Sequence, residues 1–339
     1  MDNRIHVSFD ANDRSYFAIL KKEIHLLAVG AGLNNKKVGE IDIVVAEMVS
    51  NLVKHAGGGQ VLVKVLNEEN KKGIEIISID NGVGMTDVTR MVADGVSTKN
   101  SLGQGLGAMK RLSDVFQVYS LKNWGTIILC RIFESELTVH KKLPSTEIRS
   151  VIIPKPNEKA CGDGFCSIVT DKEIRIFSGD GLGHGPEAEL AVLTAIDAFK
   201  KCTERSSVDV IRYINSHVKK TRGLVGTVAI FRFGERKWNM CGIGNILTKV
   251  NSLDSANGYM SYNGIIGLNM PNTLKEREFD YEDGQHIIMC SDGIKSRWDT
   301  TRYPAIIRYD LTILAAAILK DYARHTDDMS VAVCKLNLS

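Results

Sequence analysis

The sequence predicts a protein of α/β class (α+β) with two domains, and three observations support this fold class. The chain has 339 residues, which at about 150 residues per domain corresponds to two domains. In the first half, helical patterns alternate with short apolar runs that are typical of strands. Three of the six prolines stand at 144, 154 and 156, where they disfavour helix and central strand. We therefore predict domains at 1–138 and 158–339, joined by a linker at 139–157.

The composition excludes several classes of protein. Hydrophobic residues make up 44% and charged residues 24% of the chain, which argues against disorder, collagen and coiled coil. The net charge is +3, without a basic block, so neither nucleic acid nor a membrane surface is predicted as a partner. The seven cysteines include no Cys-x-x-Cys pair and are predicted to be buried, reduced thiols. The sequence shows no secretory signal. The longest apolar run, Leu311–Leu319, is too short to span a bilayer and is predicted to be a core helix. We therefore expect a cytoplasmic protein.

A helix at 38–55 is the first strong pattern of the N-terminal half. Its apolar residues stand at 41, 44, 45, 48, 49 and 52, one face of a helix, and Gly57 to Gly59 end it. The remaining patterns predict strands and a further helix, which together form a mixed sheet covered by helices: strands at 61–66, 74–79, 115–120 and 125–132, and a helix at 105–114.

Three polar motifs in this half require an explanation. Glu47 and Asn51 share the helix face opposite the apolar stripe, and His55 follows one turn later. Asp80-Asn81-Gly82-Val83-Gly84 comes after an apolar strand, and Gly103-Gln104-Gly105-Leu106-Gly107 opens a helix. Each motif alone is more simply a solvated face or a turn. In this order they predict a phosphate site, because glycines before a helix N-terminus expose N–H groups to an anion. No Gly-Lys-Ser/Thr follows, so the site is not a P-loop.

These motifs, together with Gly125-Thr126, resemble the N, G1 and G2 boxes of the GHKL ATPase/kinase superfamily over residues 1–135, and in particular its anti-sigma-factor serine kinases and switch kinases. The resemblance implies a GHKL α/β sandwich that binds ATP and Mg²⁺, with Glu47 as general base toward a serine or threonine hydroxyl, Asn51 as metal ligand and Asp80 on the adenine amino group. His55 is interpreted as structural, and Ser97 to Ser101 form a lid that is less glycine-rich than in the family. The implied cofactor-binding set is Asn51, Asp80, Gly82, Gly84, Gly103, Gly105, Leu106, Gly107 and Thr126.

Four aspartates in the C-terminal half stand at the ends of apolar strands: Asp163, Asp180, Asp292 and Asp327. A single Asp-Gly after a strand is more often a turn than a ligand. If the four converge, however, their charges would repel unless cations neutralise them. Oxygen ligands suit Mg²⁺ or Mn²⁺, and two such ions together could activate water against a phosphate ester.

The C-terminal half, over about residues 150–339, resembles the PP2C phosphatases, specifically the branch of stage II sporulation protein E. The resemblance rests on Gly162-Asp163, Asp180-Gly181-Leu182-Gly183-His184-Gly185, Gly242-Ile243-Gly244-Asn245, Ser291-Asp292-Gly293 and Asp327-Asp328-Met329-Ser330. It implies a PP2C-like αββα sandwich in which Asp180 bridges two Mn²⁺ or Mg²⁺ ions, as the central catalytic carboxylate. The other implied ligands are the Gly181 carbonyl, Asp163, Asp292 and Asp327, while Asp328 and His184 stay undecided.

Together the two resemblances imply a bifunctional regulator of a bacterial partner-switching pathway. The N-terminal domain would phosphorylate a STAS-type antagonist, and the C-terminal domain would dephosphorylate a phosphoserine or phosphothreonine protein. Two alternatives stay open: the N-terminal domain is a nucleotide-gated module that sequesters a partner, such as a sigma factor, without kinase activity, or it only senses ATP for the phosphatase. A homodimer also stays open.

Overall fold

The computed structural model describes residues 5–68, 71–92, 105–135, 145–252 and 256–338. The chain forms two compact units. The N-terminal unit consists of His6–His140 together with Tyr303–Ala317. The C-terminal unit consists mainly of Lys141–Arg302 and Ile318–Ser339. The predicted fold class, mixed α/β in two domains, is confirmed.

The N-terminal unit contains one antiparallel sheet of five strands in the order β1-β2-β3-β5-β4. Four predicted strands and both predicted helices are confirmed within a few residues. The elements are β1 (Val7–Asp10), α1 (Phe17–Gly30), α2 (Asn35–Asn51), β2 (Gln60–Glu68), β3 (Lys71–Ile79), α3 (Val88–Val92), α4 (Gly105–Leu112), β4 (Val115–Leu121) and β5 (Gly125–Phe133).

Helix α2 is the central helix of this unit. The Asn34 side chain accepts a hydrogen bond from the Lys37 N–H, so that it caps the N-terminus. All six apolar positions of the predicted stripe are buried. The end differs from prediction, because residues Leu52–Ala56 form a π-helical turn before Gly57, whose φ of 73° terminates the helix. Such turns are frequent at functional sites, and this one begins directly after Asn51.

The two central strands of this sheet are buried on both faces. All nine residues of β5 are buried, as are the last seven of β3, although α1 and α2 cover only one face. Residues 303–317 belong to the same unit and contact this sheet at β4. The Tyr119 hydroxyl donates to the Pro304 carbonyl, and the Asp310 N–H donates to the Gln117 side chain. The structure therefore differs from the predicted division, which assigned all of 158–339 to the phosphatase domain.

A buried ion network joins this segment to the sheet. Arg131 on β5 is 2% exposed and binds both carboxylate oxygens of Asp310, at 2.5 and 2.9 Å. Its Nε also donates to Glu75 on β3, at 2.6 Å. Lys64 and His6 each lie 3.1 Å from the other oxygen of Glu75. Burying these charges is tolerable because each has an opposite partner.

The C-terminal unit is built on two antiparallel sheets of five strands, in the orders β13-β10-β9-β8-β7 and β12-β11-β14-β15-β6. Helices α5 and α6 contact the first sheet. The elements are β6 (Ser145–Ile153), β7 (Asp163–Val169), β8 (Glu173–Gly181), α5 (Pro186–Lys201), α6 (Ser207–Val218), β9 (Leu224–Arg232), β10 (Lys237–Ile243), β11 (Leu247–Asn251), β12 (Ala256–Tyr259), β13 (Arg277–Asp280), β14 (His286–Cys290), α7 (Leu311–Tyr322) and β15 (Met329–Asn337).

The segment predicted as a linker at 139–157 contains β6, an edge strand paired with β15 over its whole length. This second difference from the predicted division has a simple cause. Pro144 and Pro154 flank the strand and do not interrupt it, and an edge position leaves one side of the backbone free of ladder bonds.

Helix α7 contains the longest apolar run, and its residues 311–319 are all buried, which confirms the predicted core helix. It is shared by the two units in sequence, because Leu311–Ala317 belongs to the N-terminal unit and the remainder to the C-terminal unit. In the part of the chain that the structure describes, no helix has the length and apolar character needed to cross a membrane. All seven cysteines are buried and free, as predicted.

Candidate functional sites

The first site lies where α2 meets the start of α4. A Cβ added to Gly105 would stand 2.6 Å from Glu47 Oε2 and 3.7 Å from Asn51 Oδ1. Two of the three sequence motifs therefore converge in space, and the absence of a side chain at Gly105 leaves room for the Glu47 carboxylate in its present position. Both side chains are half-buried, so they remain accessible to a ligand.

Asp80 fixes the third motif. Its Oδ1 accepts hydrogen bonds from the Gly82 N–H at 2.8 Å and the Thr126 N–H at 3.1 Å. The Asp80 N–H in turn donates to the Thr126 carbonyl at 3.0 Å. Asp80 and Thr126, both in the predicted cofactor-binding set, are thus neighbours, joined by one backbone and one side-chain hydrogen bond where the end of β3 meets the start of β5.

Two glycines allow the loops of this site to touch. A side chain on Gly84 would collide with the Leu121 carbonyl, and one on Gly125 with the Asp80 carbonyl. Both also have positive φ, at 68° and 120°, a region that disfavours other residues. At Gly82 a Cβ would stand 3.0 Å from the Ala56 Cβ. The close approach of Gly84 and Gly125 to neighbouring backbone carbonyls is therefore a property of the fold.

Ser120 belongs to this site although the sequence analysis did not select it. Its hydroxyl lies 2.9 Å from the Thr126 hydroxyl and 3.0 Å from the Gly125 carbonyl, and it accepts the Met85 N–H at 2.8 Å. It thereby ties Thr126 to the loop that carries Gly84. A lone serine in a strand carries no motif, so only its register opposite Thr126 could have indicated it.

The remaining predicted nucleotide residues divide into two groups. Gly103 and the lid at Ser97 to Ser101 lie outside the described residues. Leu106 and Gly107 are buried in the first turn of α4, and the Leu106 side chain packs in the hydrophobic core. His55 is exposed in the π-helical turn.

The second site begins at the paired strands β7 and β8. Asp163 and Asp180 are cross-strand partners. Asp163 is fully buried; its Oδ2 accepts the Ser291 hydroxyl at 2.5 Å, and among the described residues its Oδ1 has no hydrogen-bond partner. A buried carboxylate oxygen without a donor is costly, and a cation would satisfy it.

The other aspartates surround a cavity of about 340 Å³. Asn245 donates to Asp292 Oδ2 at 3.0 Å, which orients that carboxylate. The cavity therefore brings together carboxylates from three separate motifs. Its lining residues are Asp180, Gly181, Leu182, Gly183, Val225, Gly244, Asn245, Asn263, Gly264, Asp292 and Asp327.

The carboxylates raise one another's proton affinity. Burial, and then the charges of Asp163 and Asp292, raise the pKa of Asp180 well above its ordinary value. Burial is also the main cause of the raised pKa of Asp163, where the charge of Asp328 adds to it and the Ser291 hydrogen bond opposes it. Positive charge at this place would relieve both effects.

A divalent metal fits this donor set, because Mg²⁺ and Mn²⁺ prefer carboxylate and carbonyl oxygens. Within the described ranges, no three acidic, histidine or cysteine side chains already form a compact ligand cluster.

Asp328 and His184 have other partners. Asp328 is 3% exposed, and it accepts the backbone N–H groups of Lys155 and Gly162, both at 2.8 Å. It therefore holds the strand that presents Asp163 and does not line the cavity. His184 lies 2.6 Å from Glu158 and is not among the lining residues either.

Comparisons with known proteins find relatives for both halves of the chain. The family model of the histidine kinase-like ATPase domain matches residues 13–132, and that of stage II sporulation protein E matches residues 170–337. The serine/threonine-protein kinase RsbT of Bacillus subtilis is 35% identical over 97 residues, 29% of this chain and 73% of RsbT. The phosphoserine phosphatase RsbX of the same organism is 26% identical over 141 residues, 41% of this chain and 70% of RsbX.

Two solved structures share the fold of more than half of this chain. A protein of the bacterial stressosome, described as a modular system adapted to control secondary messenger signalling, superposes with a TM-score of 0.53 and 27% identity, over 56% of this chain and 99% of that one. RsbX in complex with magnesium superposes with a TM-score of 0.52 and 20% identity, over 59% of this chain and 99% of that one.

The fold and these similarities define a class of protein in which a kinase-like ATPase domain and a PP2C-type phosphatase domain share one chain. The chain belongs to the histidine kinase-like ATPase family through its N-terminal domain, which is fused to a PP2C-type phosphatase domain of the stage II sporulation protein E type.

Proposed function

We propose that the protein is a bifunctional regulator of a partner-switching pathway, a kinase and a phosphatase for serine or threonine of a partner protein. The observation that carries this proposal is the convergence of Asp180, Asp292 and Asp327 on one cavity, with Asp163 behind it. The names of the two relatives, a serine/threonine-protein kinase and a phosphoserine phosphatase, support the two opposed reactions.

In the phosphatase reaction, two Mn²⁺ or Mg²⁺ ions would be held by the carboxylates of Asp163, Asp180, Asp292 and Asp327 and by the Gly181 carbonyl. Bound there, the ions supply Lewis-acid activation of water. The protein's own contribution is orientation: Ser291 fixes Asp163 and Asn245 fixes Asp292. The cavity between them would receive the phosphate ester.

In the kinase reaction, Asn51 would hold the Mg²⁺ of ATP, and Asp80 and Thr126 would contact the adenine. Glu47 would accept the proton of the attacking hydroxyl, a contribution of about 10²- to 10⁴-fold. Its place on α2, one turn before Asn51 and beneath Gly105, supports this assignment. A STAS-type antagonist is the substrate class that we propose.

The test is a time course of phosphorylation with Mg²⁺ and ATP, and of dephosphorylation with Mn²⁺, on STAS proteins encoded near the gene. Glu47→Gln should reduce transfer at least 100-fold while ATP binding persists, and Asp180→Asn should abolish phosphate release. The matched control for the kinase reaction is Glu40→Gln, which is also on α2. The control for the phosphatase reaction is Asp197→Asn, on the exposed surface of α5. Absence of both reactions on every such partner would refute the proposal.

Two alternatives predict different results. If the N-terminal unit sequesters a partner such as a sigma factor without transfer, Glu47→Gln will leave the biological output unchanged. If it only senses ATP, no label will appear on any partner, and the phosphatase rate will depend on ATP. The position of Glu47 beside Asn51 favours transfer, because a sensor needs the metal ligand but no base.

A further inference from the structure

The cavity of the C-terminal unit lacks positive charge of its own. Of its eleven lining residues, all of them in the described part of the chain, three are aspartates and none is lysine, arginine or histidine. A phosphomonoester brings about two further negative charges at neutral pH. Cations held by the carboxylates would offset the aspartates, but binding an ester here would be aided by a protein cation at the rim.

Arg222 reaches that rim. A Cβ added to Gly183, a lining residue, would stand 3.3 Å from Arg222 Nη1 and 3.4 Å from Nη2. The guanidinium fork therefore lies beside Gly183, at the edge of the cavity lining. The backbone holds this arrangement, because the Leu182 N–H donates to the Gly223 carbonyl at 3.1 Å, one residue beyond Arg222.

The present partner of Arg222 is weakly held. Its Nε lies 3.5 Å from Glu187 Oε2, and the two side chains are 46% and 75% exposed. Ion pairs at such exposure contribute little to stability. A phosphate dianion offers the guanidinium two oxygens in the geometry that its fork fits, so exchange of Glu187 for phosphate is favourable.

We propose that Arg222 binds the non-bridging oxygens of the substrate phosphate at the rim of the cavity, and so selects phosphomonoesters. This inference rests on the proposed phosphatase function. Arg222 touches the substrate and orients it, whereas the carboxylate site performs the hydrolysis. Its loss should therefore weaken substrate binding more than turnover.

The experiment uses the full chain with Mn²⁺ and p-nitrophenyl phosphate, with inorganic phosphate as inhibitor. Arg222→Gln should raise both KM and the inhibition constant of phosphate by about 10- to 100-fold, with kcat changed less. Arg222→Lys retains the positive charge but not the guanidinium fork, so its KM should lie between those of the wild type and Arg222→Gln. Mn²⁺ titration should give the same affinity in both variants, which verifies that the site is folded.

Two further variants separate substrate binding from a structural ion pair. Arg212→Gln removes another exposed arginine paired with an acid and should leave KM unchanged. Glu187→Gln should leave KM unchanged or lower it, because it frees Arg222; a rise like that of Arg222→Gln would show a structural pair and overturn the proposal. If the wild type is active and Arg222→Gln has the same KM, the proposal for Arg222 is also overturned. If the wild type itself is inactive, the result refutes the phosphatase function on which the proposal rests.

Discussion

Ser120 shows how a single hydroxyl organises the nucleotide site. It contacts the Thr126 hydroxyl, the Gly125 carbonyl and the Met85 N–H, and so connects β5 to the loop after β3. Thr126 is only 4% exposed, so its orientation depends on this neighbour. The precision of the proposed adenine contact thus comes from a residue that does not itself stand in any of the motifs.

Ser120→Ala should weaken nucleotide binding about 5- to 30-fold. Removing the hydroxyl takes this partner away from the half-buried Met85 N–H and from the Thr126 hydroxyl, at a cost of about 1–2 kcal/mol. Calorimetric titration with a non-hydrolysable ATP analogue and Mg²⁺ measures the effect. Ser113→Ala, in the same unit, is the control, and equal affinities for the two variants would contradict this account of Ser120.

At the scale of elements, β3 and β5 depend on the ion network around Glu75. Burial alone would raise the pKa of Glu75, but the charges of Lys64, Arg131 and His6 overcome this and hold it well below its ordinary value. A carboxylate with a lowered pKa in the folded state stabilises that state above its unfolded pKa of about 4.3. This stabilisation is lost as the pH falls through the folded value.

The N-terminal unit should therefore become less stable below about pH 4.3, because Glu75 must take up a proton on unfolding there. Hydrogen exchange of peptides from 125–133, followed by mass spectrometry between pH 3 and pH 7 with correction for the intrinsic rate, measures this. In Glu75→Gln the loss on acidification should be smaller, although the variant is less stable at neutral pH. The same acid dependence in both proteins would count against the network.

Some elements could be predicted from the sequence and others could not, for physical reasons. The α2 stripe and the strands were predictable because hydrophobic periodicity is local, and each aspartate of the second site has its own Asp-Gly or Asp-Asp motif. The packing of residues 303–317 over β3 and β5 could not be predicted, because Arg131 and Asp310 are 179 residues apart and no local pattern pairs them.

At the scale of the whole molecule, the N-terminal unit is assembled from two stretches of sequence. Tyr119 packs edge to face on Tyr309 at 5.2 Å, and Trp124 lies 5.7 Å from Tyr303. These contacts and the Arg131–Asp310 pair belong to the same sheet face. Residues 303–317 are therefore part of this unit's core, although they follow most of the phosphatase sequence.

A chain of residues 1–140 alone should be markedly less stable than the same residues in the full protein. It leaves Arg131 without Asp310, a loss of about 3–5 kcal/mol for a buried pair, and exposes the aromatic face. Hydrogen exchange in peptides from 125–133 should be faster in this fragment than in the full protein. Joining residues 303–317 to the fragment through a flexible linker should restore protection from exchange. Asp310→Ala in that joined chain should remove the benefit, and full protection of 1–140 alone would contradict the expectation.

The segment at 303–317 also limits how such a protein can arise or be rebuilt by recombination. A crossover near residue 140 would transfer a kinase-like domain that lacks part of its core and would leave behind a phosphatase carrying an apolar segment without its sheet. Recombination of whole domains therefore has no single breakpoint that separates the two units. An intact N-terminal unit therefore requires that residues 6–140 and 303–317 are inherited together with the phosphatase sequence between them.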